Sequence, residues 1–276
     1  MTPLSDQPPM LQLDHATVKR GNQRVLDDIS LALRDGEHTA ILGPNGSGKS
    51  SLIRLITRQY YPLARSDKQP SVRIYGRDRW NVAELRSLLG IISPDVYPIA
   101  IDGATDAPLV GRDVVLSGFF ASAALFEHHV VTDAMREHAQ ATLDLVDALP
   151  LAEKPISEMS TGEARRIYIA RALVSAPRAL LLDEPTAGLD LLAMHRFLAT
   201  MRRVAQHGTM LVLVTHHIDE IIPEIERVIL LRQGRIFRDG PKSDILTTEH
   251  LSALYDAPIR VSTAGGYYAA TAHEDA

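Results

Sequence analysis

The feature that most constrains this chain is a glycine-rich motif of the form G-x-x-x-x-G-K-[ST]. Its residues are Gly43, Pro44, Asn45, Gly46, Ser47, Gly48, Lys49 and Ser50. An apolar run at residues 39–42 predicts a buried strand just before the motif, and the amphipathic residues 51–56 predict a helix just after it. A strand, a glycine-rich turn and a helix in this order are typical of a phosphate-binding loop. The motif therefore predicts an α/β fold that binds a nucleotide.

The residue types in the loop suit a bound triphosphate. Glycine lets the backbone bend around an anion, and the N-terminus of the following helix adds positive partial charge. Lys49 can reach the β- and γ-phosphates, and the hydroxyl of Ser50 can bind Mg²⁺. Ser51, the next residue, is a further candidate for nucleotide contact. We therefore expect ATP and Mg²⁺ as cofactors.

Two adjacent carboxylates follow a second apolar run. Residues 180–182 are all leucine, and Asp183 and Glu184 come directly after them. In open α/β sheets ligands bind at the carboxyl ends of the strands, so this pair is expected at the same edge as the loop. Asp183 is suited to hold Mg²⁺, and Glu184 is placed to polarise an attacking water. The alternative is that the two residues only cap the next turn.

Composition limits the class of protein. The chain has 276 residues, 45% of them hydrophobic, a formal net charge of −5 and no cysteine. We expect no nucleic-acid partner, because there is no general basic field. Disulfides and thiolate metal sites are excluded. No secretory leader and no run of about 18 apolar residues is found, so a membrane role requires another chain to cross the membrane.

The pattern along the chain predicts one large domain and a tail. Alternating residues 11–18 and residues 25–33 predict antiparallel strands, whereas the apolar runs 178–183 and 209–215 predict a parallel sheet covered by helices. Residues from about 90 to 165 are rich in alanine, leucine and charge, which predicts an inserted helical subdomain. We expect the domain to cover residues 1–261 and residues 262–276 to be loosely ordered.

With both motifs in place, residues 11–239 resemble the ATP-binding-cassette ATPases that power ABC transporters. The resemblance implies a P-loop NTPase with a mostly parallel central sheet, an antiparallel β subdomain and an inserted α-helical subdomain. It also implies hydrolysis of ATP to ADP and phosphate. Residues 111–120 are similar to a branch of the family related to the import of molybdate and iron complexes.

The family's signature motif has its counterpart at Ser160, Thr161, Gly162 and Glu163. The family sequence is Leu-Ser-Gly-Gly-Gln, so only the serine and the second glycine are identical, but the segment opens a predicted helix. The resemblance implies that these residues bind the γ-phosphate of ATP held by a second subunit. The alternative is an ordinary helix start in which Ser160 and Glu163 form a capping box, and both interpretations can hold at once.

Two further family positions are present. Asp190 resembles the D-loop residue that crosses the dimer interface. His216, at the end of the strand predicted over residues 209–215, resembles the switch histidine that holds the γ-phosphate, the attacking water and Glu184. A histidine can donate the hydrogen bond that this role requires.

Two positions depart from the family pattern. Arg20 stands where the family has an aromatic residue that stacks on adenine; a guanidinium can stack on a base, but Arg20 can equally be a solvated surface residue. Ser93 stands where the family has the glutamine of the Q-loop, near Mg²⁺ and the membrane partner. Because serine is shorter than glutamine, this departure puts the coupling of the ATPase to its membrane partner in doubt more than ATP binding.

These features favour an ATPase subunit that forms a homodimer around two MgATP and drives an integral membrane permease, importing a small solute or metal complex. A solute-binding protein is a further partner in such systems. The expected location is the cytoplasm, peripheral on the inner face of the cell membrane. The alternative is a soluble single-cassette ATPase with a remodelling or repair role. A nucleotide-binding regulator with little turnover is disfavoured by Lys49, Asp183, Glu184 and His216.

Overall fold

The computed structural model describes residues 8–93, 109–122 and 124–272. The chain divides into two compact units, one formed by residues up to Trp80 together with those from Val212 onward, and one formed by residues 81–211. Part of the predicted helical subdomain and the final residues 273–276 of the predicted tail lie outside the described residues.

The described residues form both strands and helices, as expected of an α/β protein. In chain order the strands are β1 (Leu11–Arg20), β2 (Gln23–Leu33), β3 (Thr39–Leu42), β4 (Val72–Ile74), β5 (Leu89–Ile92), β6 (Ala179–Asp183), β7 (Met210–Thr215), β8 (Arg227–Arg232), β9 (Arg235–Pro241), β10 (Ile259–Ala264) and β11 (Tyr267–Ala272). The helices are α1 (Lys49–Ile56), α2 (Val82–Leu88), α3 (Gly111–Ser117), α4 (Asp133–Leu145), α5 (Thr161–Leu173), α6 (Leu191–Gln206), α7 (Lys242–Ile245) and α8 (Thr248–Tyr255).

The first unit contains three groups of strands. β1 lies between β2 and β4 in an antiparallel sheet, and alternate residues of β1 are buried, as expected for a sheet with one covered face. β3 lies between β7 and β8, parallel to both, and β9 pairs antiparallel with β8. β3 and β7 are buried along their whole length, which is why they contain apolar residues almost without interruption.

The second unit contains one parallel pair of strands and most of the helices. β5 runs parallel to β6, with Ile92 opposite Leu182. Helix α5 packs against α3 and α4, and its residues Ile167, Ile169 and Ala170 are buried. In the described part of residues 90–165 the structure has the helices α3, α4 and the start of α5, and the bounds of an inserted helical subdomain stay a prediction.

Parallel β3, β5, β6, β7 and β8, together with a phosphate-binding loop between β3 and α1, confirm the predicted α/β P-loop fold with a mostly parallel sheet and an antiparallel β subdomain. None of the helices within the described ranges is both long enough and apolar enough to span a membrane.

The expectation of a loosely ordered tail from residue 262 is wrong as far as Ala272. β10 and β11 form a regular antiparallel hairpin that pairs Ile259 with Ala272 and Ala264 with Tyr267. The turn consists of Gly265 and Gly266, whose φ angles of 57° and 82° are those that a two-residue hairpin turn requires. Two glycines between strands are a hairpin signal, which is the physical reason why this part of the tail is ordered.

Candidate nucleotide-binding site

Lys49 lies at the centre of the phosphate-binding loop. Its side chain is buried, and its Nζ donates hydrogen bonds to the carbonyl oxygens of Gly43 at 2.8 Å and Pro44 at 3.1 Å. The ammonium group is thus held inside the loop at the N-terminus of α1. A positive charge at the point where a helix begins favours the binding of a phosphate group.

Gly48 allows the loop to enter α1. Its φ angle of 108° is one that side chains rarely adopt, and a Cβ atom here would lie 2.8 Å from the carbonyl oxygen of Val25. Because glycine has no side chain, α1 also begins without a capping group from its own N-cap residue. The first N–H groups of the helix are therefore open to an outside acceptor.

Ser47 provides the test of whether the loop fits an anion. Its hydroxyl is buried and makes no hydrogen bond to any of the described residues. The backbone on either side is well held, since the N–H of Gly234 donates to the carbonyl of Ser47 at 2.8 Å. A buried hydroxyl without a protein partner in a rigid loop suits a ligand oxygen. The loop residues therefore fit a phosphate group.

His216 follows β7 at the same edge of the sheet as the loop. Leu42 pairs with Thr215 in parallel register, and the N–H of Gly43 donates to the carbonyl of Thr215 at 3.4 Å. The hydroxyl of Tyr255 donates to the carbonyl of His216 at 3.2 Å. Within the first unit, the structure thus brings the predicted loop and the predicted switch histidine together.

The predicted carboxylates lie at the end of β6 in the second unit. Asp183 is the last residue of the strand and is 8% exposed, while Glu184 is half-buried and has a φ angle of 46°. Because Ile92, the last residue of β5, pairs with Leu182, Ser93 directly follows β5 next to Asp183, the last residue of β6. The buried Ser93 is therefore brought to the same sheet edge as the carboxylates.

The signature segment forms the capping box that the sequence predicts. Ser160 is the N-cap of α5; its Oγ accepts from the N–H of Glu163 at 3.3 Å, and Glu163 Oε2 accepts from the N–H of Ser160 at 2.8 Å. Lys154 also donates to the Glu163 carboxylate, at 2.9 Å. The backbone bond from Ser160, reinforced by Lys154, lowers the pKa of Glu163 to about 2.

Beside this capping box is an open cavity of about 460 Å³. It is lined by residues 160–163, by Gly188 and Asp190, and by the start of α6. Asp190 is the N-cap of α6 and accepts from the N–H of Ala193 at 2.8 Å. The signature and D-loop positions are thus brought together at the N-termini of two helices, a combination that favours an anionic ligand.

Arg165 is a site residue that the sequence analysis missed. This buried side chain extends from α5 to the loop after β6, where it donates to the carbonyl oxygens of Pro185 and, at 3.1 Å, Ala187. It therefore connects the signature helix with the segment that starts at Glu184. Nothing in the local sequence distinguishes Arg165 from the neighbouring Arg166, because only the fold decides which arginine points inward.

Of the remaining predicted residues, Asn45, Gly46, Ser50 and Arg20 are exposed, whereas Ser51 is half-buried. Ser50 is exposed at the start of α1, and Arg20 is exposed at the end of β1, where it pairs with Gln23 across the hairpin. The position of Arg20 is compatible with either alternative, so its contact with adenine stays a prediction.

The family comparison agrees with these motifs. Residues 26–187 match the family described as ABC transporter. The chain is 33% identical to the uncharacterized ABC transporter ATP-binding protein YlmA of Bacillus subtilis, over 91% of this chain and 93% of that protein. It is 32% identical to the hemin import ATP-binding protein HmuV of Methylobacillus flagellatus, over 90% of each chain.

Experimental structures resemble the fold over most of its length. A putative metal-chelate type ABC transporter in an inward-facing conformation matches with a TM-score of 0.73 and 23% identity, over 96% of both chains. A dimeric ATP-binding cassette bound to ADP and Pi in a post-hydrolysis state matches with a TM-score of 0.66 and 25% identity, over 84% of this chain and 98% of the other.

Proposed function

Because this chain belongs to the ABC transporter family, whose cassettes bind and hydrolyse ATP, we propose that it is the ATPase subunit of an importer. Two copies form a head-to-tail dimer around two MgATP. Each ATP lies between the phosphate-binding loop of one copy and the signature residues 160–163 of the other. The dimer drives a separate integral membrane permease.

The observation that carries this proposal is the cavity beside Ser160. It combines two helix N-termini, which favour an anionic ligand. Leu192, which lines the cavity, and its neighbour Leu191 are 60% and 69% exposed, and large exposed apolar side chains beside a cavity favour a protein partner. A second copy that supplies ATP to this cavity accounts for both features.

In the proposed reaction each residue has one task. Lys49 neutralises charge on the β- and γ-phosphates, and the loop N–H groups orient them. Glu184 polarises the attacking water, and His216 donates a hydrogen bond to the γ-phosphate. Mg²⁺, held by Ser50 and Asp183, would neutralise the charge that develops on the phosphate oxygens.

The cargo proposed is a small solute of the metal-complex class. This part of the proposal is supported by the relative named for hemin import, which matches 90% of each chain. A solute-binding protein would deliver such a cargo to the permease. Ser93, in place of the family's glutamine, is the residue whose effect on coupling most needs measurement.

The test is purification of the tagged Glu184→Gln variant with MgATP from detergent-solubilised membranes. We expect a dimer of this chain with a stoichiometric polytopic membrane protein, because loss of the catalytic carboxylate leaves ATP bound and the dimer closed. The Lys49→Ala variant, which should not bind ATP, is the matched control and should not give the closed dimer. A dimer that never retains a membrane protein, although the purified wild type hydrolyses ATP, would contradict the importer and favour a soluble ATPase.

A further inference from the structure

Helix α8 is attached to the part of the first unit that supports the phosphate-binding loop. Arg232, the last residue of β8, donates to the carbonyl of Ala253 at 2.8 Å and forms an ion pair with Asp256 at 2.5 Å. Two residues later, the N–H of Gly234 donates to the carbonyl of Ser47 in the loop at 2.8 Å. The C-terminal end of α8 is therefore connected through one turn to the loop.

The same end of α8 reaches the switch histidine. Tyr255, its last residue, is half-buried, and its hydroxyl donates to the backbone carbonyl of His216 at 3.2 Å. The ordinary pKa of tyrosine already lies well above neutral pH, and burial raises the pKa of Tyr255 further, so the hydroxyl keeps the proton that it donates. Tyr255 and His216 also line a common cavity of about 380 Å³ with Leu42, which directly precedes the loop.

The C-terminal hairpin fixes α8 from the other side. The hydroxyl of Ser252 both donates to the carbonyl of Ile259 at 3.1 Å and accepts from its N–H at 3.0 Å. The N–H of Val261 donates to the hydroxyl of Thr248 at 3.0 Å. Helix α8 is thus held along its length, and a fixed helix can fix what its last residue binds.

We propose that Tyr255 is a positioning residue for His216, and that α8 is thereby a working part of the nucleotide site. By holding the carbonyl of His216, the hydroxyl sets where the imidazole meets the γ-phosphate relative to Lys49. The inference rests on the proposed catalytic role of His216. It assigns the C-terminal segment a function in turnover instead of a purely structural one.

The test is a double-mutant cycle of His216→Ala and Tyr255→Phe in the full chain, measured by steady-state ATP hydrolysis. Tyr255→Phe removes one oxygen atom and should lower kcat about three- to tenfold with little change in the KM for ATP, because one hydrogen bond is lost. His216→Ala should lower kcat about a hundredfold. The double variant should be no slower than His216→Ala alone, since Tyr255 acts only through His216.

Tyr268→Phe is the matched control, because it removes the same atom from the C-terminal hairpin and should leave kcat unchanged. Arg232→Gln is a second variant, which releases α8 from the β8 end and should also lower kcat without changing KM. Full activity of Tyr255→Phe, or losses that multiply in the double variant, would overturn the inference and leave the proposed function intact. Normal turnover of His216→Ala would instead remove the catalytic assignment itself and, with it, the role of Tyr255.

Discussion

Helices α1 and α5 both begin at a candidate phosphate site, but they begin in different ways. The N-cap of α1 is Gly48, which offers no side chain to the first N–H groups. The N-cap of α5 is Ser160, which already accepts from the N–H of Glu163 while the Glu163 carboxylate accepts from Ser160. The first helix start is open to a ligand, whereas the second is partly satisfied by its own residues.

This difference suggests that the two sites have different roles. An open helix start with a buried lysine can bind a phosphate group on its own. A partly capped start offers fewer N–H groups and places the Glu163 carboxylate beside them, and is therefore expected to bind only when a partner brings the nucleotide to it. The comparison thus predicts that the loop determines affinity and that the signature determines turnover.

The largest effect is expected for Lys49→Ala. This variant removes the charge held between the carbonyls of Gly43 and Pro44 and should abolish nucleotide binding, measured by isothermal titration with MgATP. Lys242→Ala is the matched control: it also removes an ammonium that donates to two backbone carbonyls, those of Ile222 and Pro223, but outside the loop. Tight binding by Lys49→Ala would show that the loop does not determine affinity.

The next effect tests the signature. Ser160→Ala should leave the affinity of the monomer for ATP unchanged but lower kcat about 10- to 100-fold, the value of one hydrogen bond to a charged group. It should also cost about 1 kcal/mol of stability, because it removes an N-cap. Thr132→Ala removes the N-cap of α4, where Thr132 Oγ1 accepts from the N–H of Met135, and so gives the stability loss alone. Equal turnover of the two variants would make Ser160 a cap and nothing more.

The loop motif could be predicted from sequence because its chemistry is local. The residues that bend around a phosphate are consecutive, and the strand and helix beside them follow from the apolar pattern. The capping box of Ser160 and Glu163 is equally local and was predicted. Arg20 marks the limit of prediction from sequence. Its two alternatives, stacking on adenine and exposure to solvent, differ only in whether a base lies beside the guanidinium group.

Arg165 and Tyr255 could not be predicted for the opposite reason. Arg165 acts on carbonyls 20 and 22 residues away, and Tyr255 acts on one 39 residues away. Backbone carbonyls are present in every residue, so no sequence pattern identifies such an acceptor before the fold is known. The functional elements that sequence reveals are therefore the side chains that meet the ligand, not those that hold them.

A third, smaller effect is expected for Arg165→Met. The variant frees the carbonyls of Pro185 and Ala187, so the segment after Glu184 should lose its fixed position and kcat should fall about tenfold. Arg171→Met is the control, because Arg171 lies on the same helix but donates to Ser117 and Ser122. If both variants lose stability and turnover to the same extent, Arg165 is not specific to the site, and thermal melts recorded beside the assays decide this.

The smallest effect concerns the negative charge of Glu163, whose carboxylate accepts a hydrogen bond from the N–H of Ser160 at the start of α5. The pKa of Glu163 is about 2 in the folded protein against an ordinary value of 4.5, so its contribution to stability is complete above pH 4.5 and is lost as the pH falls toward 2. Glu163→Gln keeps an acceptor for the N–H of Ser160 but has no charge, so its melting temperature should fall less steeply than that of the wild type over this range. Lys154→Met, which removes only the second cause of the shift, should give an intermediate slope. Parallel curves for all three proteins would mean that the carboxylate charge does not stabilise the start of α5, and the contrast between α1 and α5 would then rest on the Ser160 hydroxyl alone.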